Sequence, residues 1–197
     1  MKTVRMALIT ALMALSLGAF AAPAMGAPGV WTKNGAPIQG SVAIELSGVL
    51  KFGSFGGQAS CGMVANATLE PGGKGGITAV ELSNCVHPEV PCEQGATNVT
   101  VPWAITPEWV GGSARVAVDD IAATVGFASP CNPNFQMLYA SDGELDATPS
   151  NPGNIQALNL SGWWSGTDWW GTGTKAGMAA DLAVTGPGGK FIQVGIE

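Results

Sequence analysis

Four of the chain's seven tryptophans stand in two adjacent doublets, Trp163-Trp164 and Trp169-Trp170. Neighbouring residues on a strand point to opposite faces, so each doublet is expected to bury one ring and expose the other. Two outward rings, one from each doublet, would form a flat amphipathic platform. Such a platform suits sugar rings, alkyl chains or a partner subunit. The competing reading is structural, with both doublets closing one end of the fold.

The acidic residues offer less. Asp119-Asp120 and Asp142-Gly143-Glu144-Leu145-Asp146 are the clusters from which a carboxylate pair could be drawn. Two carboxylates at a suitable separation suffice for glycoside hydrolysis, which keeps a hydrolase as a lesser alternative. The spacing of Asp142, Glu144 and Asp146 is reminiscent of a calcium loop. It lacks the Gly at the sixth position and the distal Glu that an EF-hand uses. His87 is the sole histidine, set between Cys85 and Pro88. No G-x-S-x-G elbow or C-x-x-C pair is present. The expectation is a protein that is not an enzyme, with no catalytic residues, cofactor or metal site.

The elements that would position these residues begin after a leader. Lys2 and Arg5, the apolar run Met6–Phe20 and the small-residue exit Ala21-Ala22-Pro23-Ala24-Met25-Gly26 follow the grammar of a secretory signal. The run is too short to span a bilayer as a helix. Cleavage is expected after Gly26, with Ala21 as the alternative. Residues 27–197 then form one domain that is secreted, periplasmic or at the cell surface. Losing Lys2 and Arg5 takes the net charge from −6 to −8. An acidic chain with no basic cluster argues against nucleic acid as partner. Stable membrane insertion is not expected either. Charged residues make up 11% of the chain, where about 25% is ordinary, so Gly, Ser, Thr, Asn and Ala must build the surface.

Apolar alternation recurs in strand-sized runs, as in Val99, Val101, Trp103 and Ile105, and the 29 glycines disfavour long helices. The spacing predicts an all-β fold, an antiparallel two-sheet sandwich of Ig-like or jelly-roll-like form. Strands over 57–70 and 77–86 flank the turn-rich hexapeptide 71–76. About the centre of that turn, Cys61 and Cys85 lie within one residue of opposite each other, close enough for a disulfide. Cys92 and Cys131 are then left to pair with each other.

Around these cysteines the chain resembles the small exported alkane oxidation protein activators of the PraB type. The resemblance rests on Gly76-Ile-Thr-Ala-Val-Glu-Leu-Ser-Asn-Cys85, on Cys92, and on Val101-Pro-Trp103-Ala-Ile-Thr106. It continues through Val118-Asp-Asp-Ile-Ala-Ala-Thr-Val-Gly126 to Cys131 and covers about half of residues 27–197. The resemblance implies a non-catalytic extracellular accessory that helps cells handle insoluble hydrocarbon. Taken with the tryptophans, it gives the expected role: surface contact with apolar or carbohydrate material. The alternative is a structural subunit of an extracellular fibre or biofilm matrix, whose partners are copies of itself.

Overall fold

Period-two alternation becomes strand pleating in the computed structural model of the chain. It describes residues 27–54, 57–86, 94–129, 132–167 and 173–197, with side chains described outside 52–58, 94–96, 127–144 and 163–176. In β4 (Val42–Ser54), Val42, Ile44, Leu46 and Leu50 are buried while Ala43, Val49 and Lys51 are exposed. In β5 (Gly57–Glu70), Ala59, Cys61, Met63, Ala65, Ala67 and Leu69 are all buried, and Val64 and Asn66 face out. The wall continues through β6 (Lys74–Val86), β8 (Trp103–Val110), β9 (Ser113–Ser129), β10 (Asn132–Pro149), β11 (Ala157–Thr167) and β12 (Gly173–Thr185).

These eight strands pair antiparallel in chain order, and β12 returns to pair with β4. The result is a closed eight-stranded up-and-down barrel, and it corrects the expected two-sheet sandwich. Both architectures bury one face of every strand, so alternation alone does not separate them. The strand lengths do. β9 and β10 run for 17 and 18 residues, where the sequence suggests short separate runs. They pass through Asp119-Asp120, which form a bulge opposite Glu144 within the ladder.

The Cys61–Cys85 disulfide is present, although the turn beside it is tighter than expected. Glu70 pairs with Lys74, so only Pro71, Gly72 and Gly73 turn the chain. Two register shifts, at Asn66/Ala67 and at Ser60/Gly62, each insert one residue into β6 and bring the cysteines opposite each other. Thr78 occupies the first bulge and its hydroxyl donates to the Asn66 carbonyl at 3.4 Å. Asn84, at φ 49°, lies in the second. Gly73 adopts φ 76°, and a side chain there would collide with the Gly29 carbonyl. Cys92, Cys131 and the leader lie outside the described residues.

One end of the barrel is plugged. β2 (Trp31–Lys33), β3 (Ala36–Pro37) and β13 (Val194–Ile196) form a separate three-stranded sheet. Its backbone is tied to the β10–β11 connection, with Ile155 N–H donating to Val194 O and Ile196 N–H to Pro152 O, both at 2.7 Å. Trp31, Ile155 and Val194 meet Leu46, Trp103 and Val118 around a void of about 30 Å³. Burying such large side chains anchors this end. The Trp103 indole N–H donates to Thr100 O at 2.7 Å, whereas the buried Trp31 Nε1 has no hydrogen-bond partner among the described residues. A short N-terminal strand, β1 (Ala27–Pro28), lies along β8.

The wall is weakest at one seam. β6 meets β8 only through Gly76–Ala104 and Ile77–Trp103. Beyond that point the chain enters β7 (Gln94–Thr100), all seven residues of which pair with β9. Among the described residues, no ladder joins β7 to β6. Pro102, which has no N–H to donate, stands where the β6–β8 ladder stops.

Candidate functional site

The first tryptophan doublet, Trp163-Trp164, belongs to the end of the barrel opposite the plug. β11 places Trp163 opposite Gly177 and Trp164 opposite Ala176, and Thr167 pairs with Gly173 across the hairpin. The side chains of Trp163 and Trp164 and all of Trp169 and Trp170 lie outside the described residues. The backbone register still shows what shares this end. Phe52 lies opposite Ala59 and Met178. Phe127 pairs with Met137, and Tyr139 with Val125 and Gly166. The up-and-down order thus gathers aromatic positions from β4, β9, β10 and β11 at one end. Sequence reasoning finds the doublets but misses Phe52, Phe127 and Tyr139. Their gathering depends on which strand ends are neighbours, which a sandwich would have arranged differently.

The acidic residues are also brought together, though not as a calcium loop. Leu145 pairs with Val118 and Gly143 with Ile121, so Glu144 alone stands against the Asp119-Asp120 bulge. Asp120 is exposed and adopts φ 59°, a left-handed conformation that Asp tolerates better than most residues. Asp142 lies opposite Ala122. The side chains of Asp142 and Glu144 lie outside the described residues. Asp146 is engaged elsewhere, accepting from the Arg115 guanidinium at 3.1 Å while Glu108 accepts from it at 2.8 Å. The Glu108 hydrogen bond is the main reason that the Arg115 pKa is raised. Arg115 and Glu108 face each other across the Gly111-Gly112 turn, a pairing that symmetry about the turn could have revealed. Among the described residues, no group of three or more His, Cys, Asp or Glu is placed to hold a metal ion. His87 lies outside the described residues.

The outer wall is small and polar. Glu45 is partly exposed, and Lys51, Asn66, Glu81, Asn159 and Asp181 are exposed, among Ala, Ser and Thr. Among the described residues, Val49, Val64, Val86 and Phe191 are the exposed large apolar side chains. Phe191, 76% exposed, follows the Gly186–Lys190 turn, away from Trp163-Trp164. Comparison of the chain with family models, with curated proteins and with solved structures yields no match.

Proposed function

We propose that the chain is an exported, non-catalytic accessory that makes contact with apolar or carbohydrate material through the aromatic end of its barrel. The observation that carries this reading is the gathering of Phe52, Phe127, Tyr139, Trp163 and Trp164 positions at the end opposite the plug. Aromatic rings offer large contact area at low conformational cost, which suits an alkyl or sugar surface. The plugged end is filled by its own side chains around a void of about 30 Å³, too small for a drug-sized ligand. The hollow of about 330 Å³ outside it, lined by Lys33, Pro37, Gln39 and Ser41, is open to solvent and carries no aromatic ring. Contact from outside therefore fits better than carriage within that end. The wall also has the reverse polarity of a membrane-spanning barrel, which faces lipid with apolar residues and keeps polar ones inside. That polarity supports a role without bilayer insertion. The leader grammar supports export, and the resemblance to alkane oxidation activators favours hydrocarbon as the material.

Depletion of the purified protein onto hexadecane droplets, and in parallel onto insoluble cellulose and chitin, tests the reading. At least one of these materials should remove the protein from solution. The quadruple variant Trp163→Ala, Trp164→Ala, Trp169→Ala, Trp170→Ala should lose that binding by tenfold or more, while Phe191→Ala retains it. Equal binding by the quadruple variant, or no depletion by any of the materials, contradicts the proposal.

A further inference from the structure

The hollow of about 330 Å³ outside the plugged end lies between the β2–β3 hairpin and the segment that leads into β4. Lys33 and Ala36 pair across the hairpin, and Asn34 at φ 52° and Gly35 at φ 75° complete a two-residue turn. A turn with both central residues at positive φ matches the twist of its strands, which fixes the Lys33 and Asn34 positions. The facing wall is anchored as well. Ile38 N–H donates to Trp31 O at 3.1 Å, the Gln39 amide donates to Pro37 O at 3.3 Å, and Val42 pairs with Leu69. Ile38 and Val42 are buried and give the hollow an apolar floor, while Lys33, Asn34, Gln39 and Ser41 are exposed around it.

We propose that this hollow binds an acidic sugar, a single hexuronate ring, independently of the aromatic end. Its charge is unlike that of the rest of the chain. The 14 Asp and Glu residues give the chain a net charge of −6, yet none of them lines the hollow. Both ion pairs among the described residues belong to Arg115, so the Lys33 ammonium has no carboxylate partner there. It is open to a carboxylate from outside. One exposed ammonium matches one carboxylate, whereas a phosphate dianion would face the field of an acidic chain with a single cation to offset it. The Asn34 and Gln39 amides and the Ser41 hydroxyl can donate to and accept from sugar hydroxyls. The C–H face of the ring would lie on Ile38 and Val42. A neutral sugar lacks the ion pair, and the hollow offers no aromatic ring on which to stack it. The volume is at the lower end of the range for small-molecule sites, which suits one ring rather than an oligosaccharide.

Amide NMR shifts of the isotope-labelled protein, titrated with sodium D-galacturonate at constant ionic strength, test the proposal. Saturable shifts are expected at residues 33–42, with a dissociation constant in the millimolar range, because a solvent-exposed ion pair contributes little. D-galactose and acetate, each carrying half of the recognised chemistry, should bind at least about fivefold more weakly. Lys33→Gln should weaken galacturonate binding by about fivefold, while Lys51→Gln, on the outer face of β4, leaves it unchanged. Absence of saturable shifts, or shifts centred outside 33–42, overturns the proposal. So does inorganic phosphate that binds as tightly as galacturonate, or a Lys33→Gln variant that binds galacturonate as the parent does.

Discussion

Between β4 and β5, Val42 through Ser54 pair one for one with Leu69 through Gly57, with no shift in register. On the far side of β5, β6 needs two bulges to stay in register with β5 and reaches β8 through only two residues. Both regions alternate apolar and polar residues, so alternation does not account for the difference. Single residues do. Thr78 and the αL Asn84 sit in the bulges of β6, and Pro102 withholds a donor where its outer ladder would continue. Alternation decides which face of a strand turns inward, whereas bulges and prolines decide how far two strands remain joined. The same barrel therefore has a rigid side and a seam.

The contrast has measurable consequences, and the largest is in the core of the rigid side. Leu69 is fully buried, so Leu69→Ala should cost about 2–5 kcal/mol in chemical denaturation. The disulfide links the two regions, since Cys61 lies on β5 and Cys85 on the bulged end of β6. Replacing both by Ala should cost about 2–4 kcal/mol, and hydrogen exchange should show protection lost first along β6. At the seam, Leu82 is only half buried; Leu82→Ala should cost less than about 1.5 kcal/mol. If Leu82→Ala proved as costly as Leu69→Ala, the seam would be as firmly packed as the wall and the contrast would fail. The smallest effect is expected on the outer surface. Arg115→Ala breaks partly exposed ion pairs to Glu108 and Asp146 and should cost less than about 1 kcal/mol. That difference should shrink further in high salt.

Much of the wall was legible in the sequence because burial of one face imposes a period of two. The β5 bounds, Gly57–Glu70, agree with the run read from the sequence. The Cys61–Cys85 pair was legible too, although through a different turn. The sequence suggests a six-residue turn, whereas three residues and two bulges produce the same opposition. Barrel closure was not legible. It depends on β12 finding β4, a pairing between segments distant in sequence that no local spacing records. Likewise, Asp146 looked like one acid in a loop, yet its partner Arg115 comes from β9 and is shared with Glu108 of β8. The tryptophan doublets stood out by composition alone. The other aromatic positions at that end emerged only once the strand order was known.

Contact through the aromatic end is tested most directly by oxidative footprinting of the tryptophans, read by mass spectrometry. The protein is compared free in solution and adsorbed to whichever of hexadecane droplets, cellulose or chitin it binds. Adsorption should suppress labelling within 163–170 by at least several-fold, while Trp109 on β8, at the plugged end, keeps its free-state labelling. Unchanged labelling across 163–170 in the adsorbed protein, or protection centred on Trp109, would contradict the account.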